Sequence, residues 1–499
     1  MSTPSPAAVA DRTPSAGVAG VAGVAEVIAL DTPNLGDRSY VVGLDGLAVV
    51  VDPQRDIDRV LALAADRGWQ ITHVLETHVH NDYVTGGLEL ARATGATYVM
   101  PGAAEFAFDA TRMHDGDTLT SGRATWRALH TPGHTPHHLS YALSVDGADI
   151  GVFTGGSMLH GSVGRPDLLG PALTDGLAHD QWRSVRRIAA EVAGSAGVFP
   201  THGFGSFCAV TATTGTDSTV DDQRAGNPAC TLDEDEFVTE LLAGLDAFPA
   251  YYAHMGPANA AGPGAIDLSL PVLADAAELR RRIDAGEWVV DLRSRRVFAD
   301  GHLKGTLSFD GTGNAVTYLG WTIPWGTPLT LLAHTAEEVT AMQRELVRIG
   351  IDRPASYAVG GPDVWATGPD DLASYPVTDF TGLAKQLAAD PRLLVLDTRR
   401  HSEWTAGHAI GARHLPLHEL LARVDEIRAW SREAAHAGAD PRVRVYCGSG
   451  FRAAAACSML ERVGVPVEHI DEEVELAPSR GVPWQAEATE TTFGKALTA

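Results

Sequence analysis

Short apolar runs, separated by glycine and aspartate, predict β-strands from about residue 25 onward. The runs cover residues 27–30, 39–42 and 47–52. Stretches rich in valine and isoleucine that turn formers interrupt after a few positions are typical of strands. Residues 57–67 then carry apolar side chains at helical spacing, which predicts a helix. Further helices near residues 180–192 and 232–245 alternate with strands, so the pattern indicates an α/β fold.

The second half of the chain contains one pattern twice. Each copy has an apolar strand, then Asp-x-Arg, then Gly-His and a further glycine, and the two copies differ by a constant shift of 106 residues. The paired positions are Asp291 and Asp397, Arg293 and Arg399, Gly301 and Gly407, His302 and His408, and Gly305 and Gly411. A repeat of this length is a duplicated domain, because solenoid repeats are shorter. Alternating strands and helices predict a small parallel α/β domain in each copy.

These patterns predict four segments along the chain. Residues 1–24 are rich in small residues but have neither a basic start nor a compact apolar core, so they predict a disordered leader and not a signal peptide. The predicted domains cover residues 25–250, 265–372 and 377–490. Residues 207 to about 264 combine a polar loop with an acidic helix near residues 232–245, which is typical of a connection to the next unit.

Three histidine clusters in the first domain indicate a metal site. Residues 76–86 contain Thr77-His78-Val79-His80-Asn81-Asp82 directly after an apolar stretch, which predicts a strand that ends in a metal-binding loop. The second cluster covers residues 130–138 and includes His134, and the third is Thr201-His202-Gly203. Imidazole and carboxylate ligands together suit zinc or iron. Each cluster lies beside glycine or proline, where loops form.

A cysteine in the second copy of the repeat has the surroundings of a nucleophile. An apolar strand leads into Cys447-Gly448-Ser449-Gly450-Phe451, followed by Arg452 and an alanine-rich helix. Backbone N–H groups of such a loop and of the helix start point inward and stabilise an anion, here a thiolate. Arg452 is predicted to return to the rim of the loop and to hold an anionic substrate. We therefore expect Cys447 and Arg452 to act catalytically, with residues 448–451 binding substrate.

The first copy of the repeat lacks this chemistry. No cysteine occurs between Cys230 and Cys447, and His334 lies near the position of the missing thiol. We predict that this copy is catalytically silent and serves as a structural or docking unit.

Charge and cysteine content narrow the class of protein. The net charge is −25, with 38 Lys and Arg against 63 Asp and Glu, which disfavours nucleic acid and anionic membranes as partners. No run is long and apolar enough to span a bilayer. Only 4 cysteines occur in 499 residues, so the chain is not built on disulfides and a reducing cytoplasm is expected. The sequence leaves a homo-oligomer open.

These motifs resemble two known families. Residues 25–250 resemble the metallo-β-lactamase superfamily through residues 77–82, Thr131-Pro132-Gly133-His134-Thr135 and Gly164-Arg165-Pro166-Asp167-Leu168. The two repeat copies resemble rhodanese domains through the Asp, Gly-His and Gly positions and the Cys447 loop. The whole chain resembles bacterial fusions of a persulfide dioxygenase with rhodanese domains.

The resemblance implies a fold and an activity. It implies an αββα sandwich with non-haem iron at its edge, followed by two rhodanese-like parallel α/β domains. The expected reaction oxidises a glutathione-type persulfide with O₂ to sulfite, while a rhodanese cysteine carries sulfane sulfur, so that the joined activities form thiosulfate. By position, His78 and His134 match iron ligands, with His80 beside them, and Cys447 matches the sulfur carrier. The predicted metal set is His78, His80, His134 and Asp82, with Fe(II) expected and Zn(II) as the alternative.

Two positions depart from the family pattern. Tyr83 replaces the histidine that continues the first motif in two-metal hydrolases, which weighs against a dinuclear site. Gly156, in Phe153-Thr154-Gly155-Gly156-Ser157, replaces the usual aspartate ligand, so a carboxylate must come from elsewhere, with Asp82 the nearest candidate. Without it, three histidines would form a set closer to a mononuclear zinc site.

Several alternatives therefore stay open. The chain could be a sulfurtransferase with a degenerate metal site, a thioester hydrolase of the glyoxalase II kind, or a non-enzymatic sulfur relay. Cys208 could lie near the metal and hold a persulfide, or it could be a buried free thiol.

Overall fold

The computed structural model describes residues 25–210, 215 and 217–485. The predicted leader, residues 1–24, and the last five residues of the final predicted domain, 486–490, lie outside the described residues. Of the helices in the described part, none is long and apolar enough to cross a membrane.

Two β-sheets form the first unit of the chain. The first sheet has the order β1-β2-β3-β4-β5-β6, and the second has the order β13-β10-β9-β8-β7, while β11 and β12 form a small hairpin. The strands are β1 (Glu26–Thr32), β2 (Asp37–Leu44), β3 (Leu47–Val51), β4 (Gln70–Leu75), β5 (Thr97–Pro101), β6 (Thr111–Met113), β7 (Thr118–Ser121), β8 (Ala124–His130), β9 (Leu139–Val145), β10 (Ala148–Gly155), β11 (Met158–Leu159), β12 (Ser162–Val163) and β13 (Gly197–Pro200).

Helices cover the outer face of each sheet. They are α1 (Asp58–Arg67), α2 (Gly87–Thr94), α3 (Pro171–Glu191), α4 (Val220–Gly226), α5 (Pro228–Thr231) and α6 (Glu234–Ala243), followed by α7 (Tyr252–Ala261). One buried cluster lies between the sheets and includes Val51, Trp126 and Phe153. Two further clusters join the first sheet to α1 and α2 and the second sheet to α3 and α6. Since alternate strand residues face opposite sides, each sheet is buried on both faces, and the predicted αββα layering is confirmed.

Helix α3 begins earlier than the apolar pattern predicts. The pattern starts near residue 180, whereas the helix begins at Pro171. Its first six residues are exposed or half-exposed, and the first buried side chain is Leu177. The first turns therefore lack a buried apolar face, and the apolar pattern does not predict them. Proline is favoured at the first helical position because its missing N–H would have no partner there.

The repeat copies fold into two sheets with the same strand order. The first is β14-β19-β18-β15-β17 and the second is β21-β26-β25-β22-β24, and all pairs within them are parallel. The first copy contains β14 (Val272–Leu273), β15 (Trp288–Asp291), β16 (His302–Leu303), β17 (Leu307–Ser308), β18 (Leu329–Ala333), β19 (Ser356–Val359), β20 (Leu372–Ala373), α8 (Ala276–Asp284), α9 (Arg295–Asp300), α10 (Ala315–Thr322), α11 (Ala336–Arg348) and α12 (Pro362–Trp365). The second contains β21 (Val377–Thr378), β22 (Leu394–Asp397), β23 (His408–Ala409), β24 (Arg413–His414), β25 (Val443–Tyr446), β26 (Val467–Ile470), β27 (Trp484–Gln485), α13 (Phe380–Ala389), α14 (His401–Ala406), α15 (Leu420–His436) and α16 (Phe451–Arg462). Short 3₁₀ helices occur at Pro369–Asp371, Leu417–Glu419 and Val474–Leu476.

The repeated Asp-x-Arg motif is a structural brace in both copies. Arg293 pairs with Asp291, and its Nη2 donates to the Gly301 carbonyl at 3.0 Å. Arg399 makes the equivalent pair with Asp397 and donates to the carbonyl of Gly407 at 2.6 Å. The repeated histidines also stack on an aromatic ring four residues earlier, with ring centroids 3.9 Å apart in the first copy and 3.4 Å in the second. These residues hold the fold and leave the chemistry to other positions.

The three units pack on one another through a continuous apolar core. One buried cluster runs from Tyr83 in the first unit through Leu331 in the first copy to Cys447 in the second. Helix α16 lies against strand β17 of the first copy, where the Ser308 amide donates to Ser458 Oγ at 3.0 Å. We propose that the three units are domains with the limits 25–250, 265–372 and 377–490, with α7 between the first two.

Candidate metal centre and thiol loop

Four imidazole rings converge where strands of the two facing sheets end. His78 and His80 follow β4, His134 follows β8, and His202 follows β13. The centroid of the His78 ring lies 4.1 Å from that of His80, 4.8 Å from that of His134 and 5.3 Å from that of His202. The Nε2 atoms of His78 and His202 are 3.3 Å apart. Donor atoms of His78, His80 and His202 all lie within 4.8 Å of one another, so these buried rings can contact a single cation.

Two nitrogens of this cluster lack a hydrogen-bond partner among the described residues. They are His134 Nε2 and His80 Nδ1, and both are fully shielded from solvent. A buried polar atom without a partner costs free energy, so such atoms call for a ligand. The other nitrogen of each ring has a hydrogen-bond partner. His134 Nδ1 lies 2.9 Å from the Arg165 carbonyl oxygen, and His80 Nε2 lies 3.2 Å from Glu76 Oε2. The arrangement fits a metal ion, because it fixes each ring and leaves one nitrogen to donate.

His80 is oriented by two buried carboxylates. Its Nε2 lies 3.2 Å from Asp52 Oδ1 and 3.2 Å from Glu76 Oε2. Burial alone would lower the pKa of His80, but the charge and hydrogen bond of Asp52, with Glu76, raise that pKa to about 9. The Tyr83 hydroxyl is also 3.0 Å from Nε2. Because Nε2 is engaged on this side, Nδ1 is the atom that His80 presents to the cluster.

His202 is held in the same way on the opposite side. Its Nδ1 lies 2.9 Å from Asp37 Oδ1 and 3.0 Å from Asp82 Oδ2. Burial opposes a charged ring, yet Asp82 and Asp37 raise the pKa of His202 to about 10. The carboxylate of Asp82 also faces the thiol of Cys208. Donor atoms of His134, His202 and Cys208 all lie within 4.8 Å of one another, as do those of Asp37, Asp82 and His202.

The structure brings the predicted metal set together and adds one residue to the cluster. The His78 ring lies beside the rings of both His80 and His134, and Asp82 contacts the cluster at His202. His202 is missing from the predicted set, although its Thr-His-Gly context marks it as the third cluster. Cys208 lies beside these rings as a buried thiol; burial, with the charges of Asp82 and Asp37, raises its pKa well above the usual value. Both alternatives for Cys208 are compatible with this position.

The place of the usual aspartate is filled by a histidine ring. A side-chain Cβ built on Gly156 would lie 2.6 Å from Cγ and 2.9 Å from Nε2 of His134. Carbon atoms pack at about 3.5 Å or more, so even alanine would press on this ring. The Gly156 amide instead donates to His138 Nε2 at 3.1 Å. In this chain, glycine at position 156 and the position of the His134 ring depend on each other.

The thiol loop encloses its sulfur. Strand β25 ends at Tyr446, and Cys447 is 1% exposed. The Gly450 amide donates to Cys447 Sγ at 3.2 Å. Gly450 has φ 93° and caps α16, a left-handed conformation that glycine adopts without strain. The backbone therefore directs the Gly450 N–H group towards the sulfur at the start of α16, while the predicted catalytic role of Cys447 stays a prediction.

The Arg452 guanidinium is already paired within the domain. Its Nη1 and Nη2 lie 2.6 Å and 2.7 Å from the two carboxylate oxygens of Glu403. Burial would raise the pKa of Glu403, but the hydrogen bond and charge of Arg452 lower it to about 2. The Phe451 ring packs near the ring of Tyr318, with centroids 5.8 Å apart, while Ser449 is exposed and Gly448 half-buried. The predicted role of Arg452 in holding substrate remains a prediction, and the structure gives the residue a carboxylate partner.

A cavity of about 280 Å³ lies where the three units meet. Its lining includes Arg165 and Phe207 from the first unit, Tyr318 from the first copy and Arg400 from the second. Phe207 is next to Cys208, and the Arg452 guanidinium lies 5.7 Å from the centre of the Tyr318 ring. The cavity therefore lies between the loop that carries Cys208 and the surroundings of the thiol loop.

Comparison with known proteins assigns two of the units. The family model of the metallo-beta-lactamase superfamily matches residues 38–194, and that of the rhodanese-like domain matches residues 381–473. A hydroxyacylglutathione hydrolase of Rhodospirillum rubrum is 34% identical over 152 residues, which are 29% of this chain and 53% of that protein. Mitochondrial persulfide dioxygenase ETHE1 of Homo sapiens is 28% identical over 239 residues, which are 48% of this chain and 80% of that protein. The chain spans about half the length of the hydroxyacylglutathione hydrolases that it matches.

A solved structure supports the same assignment. The crystal structure of a metallo-beta-lactamase from Staphylococcus aureus superposes with a TM-score of 0.61 at 25% identity, and the match covers 68% of this chain and 99% of that one. The resemblance predicted from the motifs is confirmed: the chain joins a domain of the metallo-β-lactamase superfamily to a rhodanese-like domain.

Proposed function

We propose that this chain is an enzyme of sulfur metabolism with two coupled activities. The first domain oxidises a low-molecular-weight, glutathione-type persulfide: RSSH + O₂ + H₂O gives RSH + SO₃²⁻ + 2 H⁺. The last domain transfers sulfane sulfur: the Cys447 persulfide, Cys–S–S⁻, reacts with SO₃²⁻ to give the Cys447 thiolate and S₂O₃²⁻. Support comes from the similarity to a persulfide dioxygenase along 80% of that protein's length, together with the rhodanese-like domain.

Convergence of the imidazoles is the observation that carries the first half of the proposal. His78, His80 and His134 would hold one Fe(II), with Asp82 as the carboxylate ligand and His202 beside it; Zn(II) is the alternative. When bound, iron would supply the redox chemistry that O₂ requires, together with positive charge for the persulfide sulfur. Residues of the chain then orient and shield this site: Asp52 and Glu76 fix the His80 ring at 3.2 Å each, and Asp37 fixes His202 at 2.9 Å.

Tyr83 favours oxidation over hydrolysis. Its hydroxyl lies 3.0 Å from His80 Nε2 and donates to the Asp52 carbonyl at 3.3 Å. A phenol in this position braces His80 and supplies no imidazole for a second metal. Because hydrolysis by two metals depends on a second metal to hold and activate the attacking water, this substitution removes part of that machinery.

Thioester hydrolysis is the second candidate, because relatives named hydroxyacylglutathione hydrolase are 34% and 35% identical to the matched part of this chain. Two substrates separate the candidates. O₂ uptake is measured with glutathione persulfide, and hydrolysis is measured with S-lactoylglutathione, on the same iron-loaded full chain.

We expect O₂ uptake with sulfite formation and hydrolysis at background rate. His78→Ala should abolish O₂ uptake. His130→Ala serves as the matched control, because among the described residues that ring hydrogen-bonds to the Pro136 carbonyl alone, at 2.9 Å. Hydrolysis without O₂ uptake would assign the chain to the hydrolases. Sulfur transfer with neither activity would leave a sulfurtransferase with a degenerate metal site.

Cys447 carries the second half of the proposal. The Gly450 amide, 3.2 Å from Sγ, and the start of α16 stabilise a thiolate and also the negative charge of a bound persulfide. The Cys447 thiolate attacks the outer sulfur of the persulfide RS–SH, so that the S–S bond of the donor breaks, RS⁻ leaves and Cys447–S–SH forms. After this persulfide loses its proton, sulfite takes the outer sulfur as S₂O₃²⁻ and restores the Cys447 thiolate. The cavity at the three-unit junction gives small sulfur anions a space between the two sites.

A further inference from the structure

We propose that Arg295, from the copy without a cysteine, is a specificity-determining residue of the Cys447 site and attracts anionic sulfur substrates to it. This inference rests on the proposed sulfur-transfer role of Cys447. It gives the silent copy a part in the chemistry of its neighbour.

Arg295 reaches across the boundary between the two copies and contacts the thiol loop. Its Nη2 donates to the Ser449 carbonyl at 3.1 Å, and its Nε donates to Asp471 Oδ1 at 2.7 Å. A Cβ built on Gly450 would lie 3.1 Å from the same Nε, so the guanidinium covers the residue whose amide holds Cys447 Sγ. The guanidinium therefore lies against the loop that encloses the sulfur.

Packing of the two copies explains how Arg295 comes to this place. Arg295 is the first residue of α9, directly after the brace formed by Asp291 and Arg293. Helix α16, which follows the thiol loop, lies against β17 of the first copy, and His302 Nε2 is 2.6 Å from Glu461 Oε2 on that helix. The repeat places His401 at the equivalent position of the second copy, so that copy has no arginine of its own there.

The charges around the loop leave Arg295 only partly neutralised. Both terminal nitrogens of Arg452 donate hydrogen bonds to the carboxylate of Glu403. Asp471 is shared by Arg295 and Arg296, whereas Asp310 lies 3.7 Å from Arg295 Nη1, beyond hydrogen-bond distance. Burial lowers the pKa of Arg295, but Asp471 and the negative charges of Asp310 and Cys447 raise it overall, so the arginine stays charged. Its side chain is 30% exposed, which leaves the charge accessible to a small anion.

Arg296 provides a matched control. It is the neighbouring residue, carries the same charge and binds the same carboxylate of Asp471, but its side chain is 69% exposed, and its contacts are with Asp471. Removing either arginine thus takes one positive charge from Asp471. Only Arg295 also touches the thiol loop, at the Ser449 carbonyl.

Two alkylating agents of similar size test the inference directly. The full chain is treated with iodoacetate, which is an anion, and with iodoacetamide, which is neutral, and modification of Cys447 is followed by mass spectrometry. The alkylation ratio is the rate with iodoacetate divided by the rate with iodoacetamide. We expect Arg295→Gln to lower this ratio about fivefold and Arg296→Gln to change it less than twofold. If Arg295→Gln only disturbed the conformation of the thiol loop, the rates with both agents would change by the same factor and their ratio would stay the same.

Sulfur transfer supplies the second readout. In the step tested, thiosulfate gives its outer sulfur to the Cys447 thiolate and releases sulfite, and cyanide then removes the sulfur as thiocyanate. Arg295→Gln should raise KM for thiosulfate about tenfold with kcat within threefold, and Arg295→Lys, which keeps the charge, should recover most of the loss. If Arg295→Gln does not fold, a folded Arg295→Lys protein without the anion preference of the unaltered chain would overturn the inference.

The outcomes separate this inference from the proposed function. An unaltered chain without sulfurtransferase turnover would contradict the role of Cys447, while a lowered alkylation ratio in Arg295→Gln would still support the charge of Arg295. An unchanged ratio in Arg295→Gln, or an equal fall in Arg296→Gln, would overturn the assignment of Arg295.

Discussion

Replacing Gly156 with the aspartate that is usual in the family should weaken metal binding in this chain. Alignment of motifs alone suggests the opposite, since aspartate would restore a carboxylate ligand. The geometry opposes this, because a Cβ at position 156 would lie 2.6 Å from Cγ of the fully buried His134 ring. The ring would have to retreat by about 1 Å to reach ordinary carbon contact.

A displacement of that size is large for a metal ligand. Distances between a metal and its donors vary by only about 0.2 Å in well-formed sites. Disturbing groups that orient a ligand typically costs about 10-fold to 100-fold in metal affinity, which corresponds to about 1.4 to 2.7 kcal/mol. We therefore expect Gly156→Asp and Gly156→Ala to bind Fe(II) at least about tenfold more weakly than the unaltered chain.

The assay is competition for Fe(II) against a chelator of known affinity under anaerobic conditions. Gly176→Asp in α3 is the matched control, because a Cβ there meets no atom of the described residues within 4 Å, apart from the backbone of its own helix. Thermal unfolding of each variant checks that the fold persists. Tighter binding by Gly156→Asp than by the unaltered chain, or iron in that variant alone, would refute the reasoning and show that the aspartate enters the ligand set.

Three further substitutions test separate parts of the account. His202→Ala should lower iron affinity at least about tenfold, as loss of a ligand or of its close neighbour would, in the same chelator competition; affinity equal to that of the unaltered chain would exclude His202 from the site. Cys447→Ser should abolish thiosulfate formation and leave persulfide-dependent O₂ uptake intact, so loss of both would show that the two activities share the thiol. Glu403→Gln should lower the free energy of unfolding by about 1–3 kcal/mol at pH 7, because it leaves Arg452 buried without its anion. Since the folded pKa of Glu403 is about 2 against an ordinary 4.5, this stabilisation is complete above pH 4.5 and is lost as the pH falls towards 2. The difference in free energy of unfolding between Glu403→Gln and the unaltered chain, measured by urea unfolding, should therefore become smaller below pH 4.5. A difference that stays constant with pH would contradict a stabilising ion pair between Glu403 and Arg452.

Local patterns in the sequence are sufficient to predict the layers of the first domain and to name most residues of the candidate site. The predicted strands are short apolar runs that end at turn-forming residues. The loops that carry His78 and His134 can therefore be assigned to the ends of strands. The repeat is visible because the brace of Asp291 and Arg293 depends on residues close together in the chain, and the same spacing recurs 106 residues later.

Long-range packing explains what the sequence does not reveal. Asp37 holds His202 at 2.9 Å although 165 positions separate them, and no local pattern joins the two. The dependence of Gly156 on the His134 ring exists only after β8 and β10 pair with their neighbours. Arg295 touches a loop more than 150 residues away, which follows from how the two copies pack and not from either copy alone.

Titration of the metal-free full chain with Fe(II) tests the central claim most directly, with binding and metal content measured per chain. The account predicts one tightly bound iron per chain and its loss in His134→Ala, whose Nε2 is buried without a partner among the described residues. Two equivalent irons per chain, or iron binding unaffected by His134→Ala, would contradict a single centre held by the converging imidazoles.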